Sequence, residues 1–172
     1  MFEKKNEQNS NIQGERLQVV VFKLSGEEFG VDIMHVSEII SVPKTITRVP
    51  QAPDFVKGLI NLRGKIIVVI NLNTRLGFAP QEEDEHSRIV VVEAGESQVG
   101  MLVNSVTRVK WLPLSCIEPT PEMIKSKINA EYLVGVGKVE EELLILLNLA
   151  KVLGEEEVDE LSQLQLDRGL DI

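Results

Sequence analysis

Residues 56–77 read VKGLINLRGKIIVVINLNTRLG, and residues 133–154 read LVGVGKVEEELLILLNLAKVLG. The two stretches align at a constant shift, and a weaker upstream echo precedes each of them. The aligned pairs are Gly58 with Gly135, Asn71 with Asn148, Leu72 with Leu149 and Gly77 with Gly154, and the upstream echo pairs Gly30, Val31 and Val36 with Gly100, Met101 and Val106. The chain therefore reads as one unit of about 65–70 residues used twice. Because the copies share no catalytic side chain, the repeat favours a binding function over a catalytic one.

The local pattern predicts short aliphatic strands joined by tight turns. Hydrophobic residues make up 43% of the chain but aromatic residues only 4%, so the core is built from Val, Leu and Ile, which favour strands. The run VVV at residues 19–21 predicts a strand that is buried on both faces. Between Asp32 and Ile40 the spacing of apolar residues instead predicts a short helical turn capped by Asp32. Such a pattern is typical of small β-barrels or sandwiches, with five strands in each copy.

Composition divides the chain into five segments. We expect a disordered arm at 1–16, a first β-barrel subdomain at 17–77, an acidic linker at 78–87, a second β-barrel subdomain at 88–154, and an acidic C-terminal helix or tail at 155–172. Exchange of strands between the two subdomains is left open.

Charge and motif content exclude several functional classes. The net charge of −9 and the single Trp and Tyr disfavour a nucleic-acid-binding barrel. No segment is long and apolar enough for a membrane span, and the polar N-terminus lacks the features of a secretion signal. His35 and His86 have no Cys or carboxylate neighbours at metal-ligand spacing, so we expect no metal. The sequence contains no phosphate-binding motif, so we expect no cofactor. We expect Cys116 to be a small buried residue and the protein to be cytoplasmic.

A proline-punctuated segment leads into the first repeat. It reads SEII at 37–40, VP at 42–43, VP at 49–50 and FVKGLINLRG at 55–64, with a further proline at position 53. In this spacing the chain resembles the CheW family, the coupling proteins of bacterial chemotaxis, over residues 17–154. One departure is the stretch IIVVIN at 66–71, where many members have Pro and Asp in place of Val68 and Asn71.

The resemblance implies a mainly β fold of two five-stranded SH3-like β-barrels packed around a shared apolar core, with few short helices and a C-terminal helix. It also implies a protein that is not an enzyme. Family members bridge the cytoplasmic tip of chemoreceptors to the histidine kinase CheA, through the CheW-like regulatory domain of that kinase. We therefore expect recruitment to membrane-associated receptor arrays without direct membrane insertion.

The resemblance also assigns roles to individual residues. The residues expected to bind the kinase are Val36, Glu38, Ile39, Val42 and Lys57. Those expected to bind the receptor are Asn61, Leu62, Arg63 and Val106. The glycines expected to have structural roles in turns are Gly58, Gly64, Gly77 and Gly135.

Plainer interpretations stay open for several of these positions. Composition alone favours Arg63 as a solvated turn residue, and Val106 is equally well explained as core. On the helical turn we expect Ile33 and Ile40 to be buried and Val36 and Ile39 to lie near the surface. Two other functions are also open: a coupler of another signalling array, such as one for surface motility, and a small enzyme with a cleft between the barrels.

Overall fold

The computed structural model describes residues 15–153, and these form a mainly β protein, as predicted. Their strands are β1 (Arg16–Leu24), β2 (Glu27–Asp32), β3 (Val36–Ser41), β4 (Val56–Leu62), β5 (Lys65–Asn71), β6 (Arg88–Ala94), β7 (Ser97–Val103), β8 (Ser105–Pro113), β9 (Ile117–Glu118), β10 (Leu133–Val139) and β11 (Glu142–Leu147). The short helices are Leu72–Arg75 and Glu122–Lys125, and the 3₁₀ turns are Ile33–His35, Leu114–Cys116, Ala130–Tyr132 and Leu149–Lys151. The expected C-terminal helix or tail, and all but the last two residues of the expected N-terminal arm, lie outside the described residues.

The strands form two sheets that exchange hairpins. One sheet has the order β8-β1-β2-β11-β10-β9, and the other has the order β3-β6-β7-β5-β4. Hairpin β1–β2 comes from the first sequence copy but pairs with β8 and β11 of the second copy. Hairpin β6–β7 comes from the second copy but pairs with β3 and β5 of the first copy. Each copy therefore lends its first hairpin to the sheet that the other copy completes.

Each sheet takes strands from both of the expected subdomain segments. Residues 17–77 and 88–154 do not each enclose one sheet, because both sheets take strands from both segments. The five-stranded sheet is built from the continuous stretch 36–103, whereas the six-stranded sheet combines 16–32 with 105–147. The sixth strand, β9, has only two residues, and its counterpart in the other sheet is the single bridge between Thr47 and Leu59.

Three hydrophobic clusters account for the aliphatic composition. One cluster belongs to the five-stranded sheet and includes Ile60, Val69 and Val91. A second belongs to the six-stranded sheet and includes Val19 and Val21. The third contains residues of both sheets, and we call it the shared core; its largest members include Phe22, Phe29, Met101 and Leu147. Successive residues of a strand point to opposite faces, so the VVV run of β1 serves two cores at once.

The shared glycine of the repeat marks the same structural feature in both copies. A Cβ on Gly58 would lie 2.4 Å from the carbonyl oxygen of Thr47, and one on Gly135 would lie 2.7 Å from that of Glu118. The pairing register shifts beside each of these glycines. Only glycine lets the neighbouring chain approach the strand this closely.

The shared asparagine also has one role in both copies. The Asn71 Oδ1 atom accepts a hydrogen bond from the backbone N–H of Thr74 at 3.3 Å, and that of Asn148 accepts one from Ala150 at 3.1 Å. Each side chain therefore caps the turn of helix that follows its strand. Gly77 follows the first of these turns with φ of 88°, the left-handed geometry of a helix C-terminus.

The predicted helical turn after Asp32 is wrong for most of its length. Asp32 caps only the 3₁₀ turn Ile33–His35, by accepting a hydrogen bond from the N–H of Met34 at 2.9 Å. Residues 36–41 then form strand β3. The register of β3 against β6 shifts between Val36 and Glu38. This irregularity disturbs the strict alternation of a strand, and the apolar spacing then imitates a helix.

Arg75 connects the two halves of the molecule. Its Nε donates a hydrogen bond to the Val152 carbonyl at 2.9 Å, and its Nη2 donates one to the Tyr132 hydroxyl at 3.1 Å. Its guanidinium also lies 4.6 Å from the centre of the Phe55 ring. The arginine thus joins the segment before β4 to the segments that precede β10 and follow β11.

Candidate functional site

The candidate site lies on the two edge strands of the five-stranded sheet and on the turn after β4. It consists of Glu38 and Ile39 on β3, Lys57 on β4 and Arg63 in the turn, and we call these four residues the seam. The Arg63 guanidinium donates a hydrogen bond to the Glu38 carboxylate, which makes an ion pair between the β4–β5 turn and β3. The Arg63 side chain is 70% exposed and that of Glu38 28% exposed. The structure therefore brings together one residue expected to bind the receptor and one expected to bind the kinase.

The turn that carries Arg63 keeps this side chain exposed to solvent. Leu62 pairs with Lys65, so Arg63 and Gly64 form a two-residue hairpin loop with φ of 51° and 87°. Positive φ at both positions is the signature of a type I′ turn. Asn61 lies in β4, and its Oδ1 accepts a hydrogen bond from the Gly64 N–H at 2.9 Å. The amide of Asn61 is thus occupied in shaping the turn, and the guanidinium is the group presented to solvent.

Lys57 borders a polar cleft at the other end of β4. The cleft has a volume of about 480 Å³ and is lined by three cations, Lys44, Arg48 and Lys57, and by two acids, Asp54 and Glu83. The Lys57 ammonium lies 2.6 Å from the Glu83 carboxylate, and both side chains are about one-third exposed, at 38% and 30%. Glu83 belongs to the acidic linker, so the linker reaches into the cleft.

Four expected contact residues are partly turned inward. Val42 and Leu62 pack against the cluster of the five-stranded sheet. Val36 and Val106 pack against the shared core, which brings these two equivalent residues of the repeat to one region. Ile39 is the apolar member that reaches the surface, at 38% exposure. Ile33 and Ile40, expected to be buried, are only half-buried, although each packs against a core cluster.

The sequence interpretation missed two surface features. Glu83 was assigned only to a solvated linker, because nothing local in the sequence indicates its pairing with Lys57. Strand β8 exposes Val109 at 49% and Trp111 at 51%, and the Arg16 guanidinium lies 4.1 Å from the centre of the Trp111 ring. The alternation of Thr107, Val109 and Trp111 along one face was a usable signal for this exposed strip.

The described residues also bear on whether the molecule could hold a metal ion or a substrate. No group of three or more His, Cys, Asp or Glu side chains in residues 15–153 could hold a metal ion. An apolar cavity of about 440 Å³ in the six-stranded sheet is lined mostly by aliphatic side chains and is bordered by Asp32 and His35. Among the helices of the same residues, none has the length and apolar character needed to cross a membrane.

Comparison with known proteins identifies the family to which the fold belongs. The model of the CheW-like domain family matches residues 18–157. The chemotaxis protein CheW of Klebsiella aerogenes is 36% identical over 151 residues, which cover 87% of this chain and 90% of that protein. The chemotaxis protein CheW of Treponema pallidum is 32% identical over 157 residues, which cover 89% of this chain and 91% of that protein.

A solved structure extends the similarity to three dimensions. The crystal structure of the scaffolding protein TtCheW from Thermoanaerobacter tengcongensis superposes with a TM-score of 0.73 at 34% sequence identity, and the match covers 80% of this chain and 88% of that one. The predicted resemblance and the two SH3-like subdomains are thereby confirmed. The chain belongs to the CheW-like family of chemotaxis scaffolding proteins.

Proposed function

We propose that this protein is a non-enzymatic adaptor that couples chemoreceptors to the histidine kinase CheA. Family membership supports the role, and the observation that carries it is the seam. There an exposed guanidinium, an exposed isoleucine and a partly exposed lysine lie on the two edge strands of one sheet and the turn after β4. In this role the protein works in the cytoplasm and is recruited to receptor arrays at the membrane.

The kinase surface is centred on Glu38, Ile39 and Lys57. Ile39 supplies apolar area, at about 25 cal/mol for each Å² removed from water. The two charged residues set orientation and association rate more than affinity. Val36 and Val42 support this surface from below, since both pack against core clusters and fix the ends of β3. Residues 35–75 carry six bases and two acids, which suits a partner surface with net negative charge.

The receptor surface is centred on Arg63. Its planar guanidinium is suited to carboxylate and carbonyl groups, such as those of a helical hairpin. Asn61 and Leu62 act indirectly, one by shaping the turn and the other by packing below it. Val106 contributes through the shared core beneath the place where the two sheets meet.

The ion pair between Arg63 and Glu38 gives the adaptor a route for coupling. A receptor that engages Arg63 competes with Glu38 for the guanidinium and so changes the charge that Glu38 offers to the kinase. Coupling between two ligands requires such differential contacts, and it acts equally in both directions. Receptor binding and kinase binding are therefore energetically linked through two side chains in direct contact.

Calorimetric titration with the regulatory domain of a chemotaxis histidine kinase tests this proposal. We expect one-to-one binding that Glu38→Ala weakens. Glu96→Ala is the matched control, because Glu96 is an exposed acid in the turn between β6 and β7 of the same sheet. Absence of binding by the wild-type protein would refute the adaptor role, and equal weakening by both variants would refute the assigned surface.

A further inference from the structure

The cleft beside Lys57 already holds an acidic side chain of the same chain. Strand β4 and the segment before it contribute three cations but only one acid, Asp54, to the lining. The fifth charge is Glu83, whose carboxylate lies 2.6 Å from the Lys57 ammonium. A cleft with surplus positive charge and a carboxylate seated in it is built to accept an acidic segment.

Local hydrogen bonds hold Glu83 at this place. The residue that follows it, Asp84, accepts a hydrogen bond from the His86 N–H at 2.8 Å through its Oδ1. The Asp84 N–H donates to the buried Ser87 hydroxyl at 2.9 Å, and the Ser87 N–H donates back to the Asp84 carbonyl at 3.1 Å. This closed turn sits at the entry to β6. Glu83 is thus positioned at the cleft by a structured anchor.

We propose that Glu83 is an internal competitor for the cleft, and that it is displaced when an acidic segment of the kinase regulatory domain docks there. The inference rests on the adaptor function proposed above and adds a regulation of the same surface. The linker occupies Lys57 in the free protein and releases it to the partner. The cleft takes a carboxylate in both states, so docking exchanges one ion pair for another.

The competition has a modest strength. Both side chains of the pair are partly exposed, and exposed ion pairs contribute little because solvent and salt screen them. Removal of the competing carboxylate is expected to tighten binding about two- to fivefold. Glu83 thus acts as an internal mask, a side chain that covers Lys57 until a partner displaces it. A mask of this strength lowers the affinity for weakly acidic partners without blocking an extended acidic surface.

Calorimetry on the full chain tests the mask, with the kinase regulatory domain and a pentaglutamate peptide as separate probes. The test variant is Glu83→Gln. The control is Glu82→Gln, which makes the same charge change on the adjacent exposed linker residue. We expect Glu83→Gln to bind both probes about two- to fivefold more tightly, and Glu82→Gln to stay within about 1.5-fold of the wild type because exposed charges are screened beyond roughly 8 Å.

The same substitution in a Lys57→Gln protein distinguishes direct competition for Lys57 from a general effect of the removed charge. In a Lys57→Gln protein, Glu83→Gln is expected to change the affinity by less than about 1.5-fold, because the cation for which the two acids compete is gone. Equal effects of the Glu83 and Glu82 variants would overturn the mask even where wild-type binding to the kinase domain is intact. Failure of the wild type to bind the kinase domain would instead overturn the adaptor function, and the peptide would still report on the cleft.

Discussion

Arg63 and Glu38 form an ion pair although β4, the strand that leads into the Arg63 turn, and β3, the strand that carries Glu38, stand at opposite ends of their sheet. Four hydrogen-bonded steps separate β3 from β4 in the strand order β3-β6-β7-β5-β4. The sheet therefore curls far enough for the Arg63 side chain to reach β3. The ion pair lies at the surface proposed for both partners.

A double-mutant cycle measures the strength of this ion pair. Arg63→Ala, Glu38→Ala and the double variant are expected to show a coupling of about 0.2–1 kcal/mol in urea unfolding, because the guanidinium is largely exposed. The cycle of Lys65→Ala with Glu38→Ala is the control, since Lys65 is the exposed cation at the same turn. Equal coupling in the two cycles would show that Arg63 makes no specific contact with Glu38.

Variants of two neighbouring isoleucines on β3 distinguish a loss of kinase binding from a loss of stability. Ile40 packs against the cluster of the five-stranded sheet, so Ile40→Ala is expected to lower the free energy of unfolding by about 1–2 kcal/mol. Ile39 is exposed at 38%, so Ile39→Ala is expected to cost less than about 1 kcal/mol but to weaken binding of the kinase regulatory domain. The measurements are urea unfolding and calorimetric titration. Unchanged kinase affinity in Ile39→Ala would remove β3 from the proposed surface.

Glycine substitutions test the close approach seen in both copies. Gly58→Ala and Gly135→Ala are each expected to lower the free energy of unfolding by about 2–4 kcal/mol, because the new methyl group meets a backbone carbonyl that cannot rotate away. Gly64→Ala is the control: it has a positive φ but open space around it, and about 1 kcal/mol is expected. Chemical denaturation followed by circular dichroism gives the three values. A cost at Gly58 no larger than at Gly64 would contradict the close packing.

Arg75 is expected to stabilise the contact between the two sheets. Arg75→Ala removes two hydrogen bonds and the contact with Phe55, and about 2–3 kcal/mol of stability is expected to be lost. Arg75→Lys is expected to recover only part of this loss, because an ammonium cannot reproduce the planar fork. Thermal and urea unfolding supply the comparison, with the exposed Arg48 changed to Ala as control. Equal stability of Arg75→Ala and the control would contradict this role.

Hairpins and caps could be predicted from the sequence because they are local. The turn at Arg63 and Gly64 and the capping by Asp32 depend on neighbours only a few residues away, and both features are present in the structure. Strand β3 was misread for an equally local reason, since the register shift near Val36 makes a strand imitate helical spacing. Local chemistry thus explains both the successes and this error.

Long-range pairing could not be predicted in the same way. The repeat shows that two units are present, but it does not say which hairpin joins which sheet, because both copies offer β-branched strands of similar length. The pairing of Lys57 with Glu83 joins β4 to a linker 26 positions later, and only the folded chain brings the two together. The sequence predicts separate kinase-binding and receptor-binding residues. It does not predict the contact between Arg63 and Glu38, because that contact depends on how the folded sheet curls.

The hairpin exchange also determines the order in which the molecule is completed during translation. When residue 103 has left the ribosome, all five strands from β3 to β7 are available and one sheet can close. Hairpin β1–β2 precedes these five strands in the chain, yet its partners β8 and β11 are synthesised only after them. Hairpin β1–β2 therefore waits, with its aliphatic faces unpaired, until strands β8 and β11 have been made.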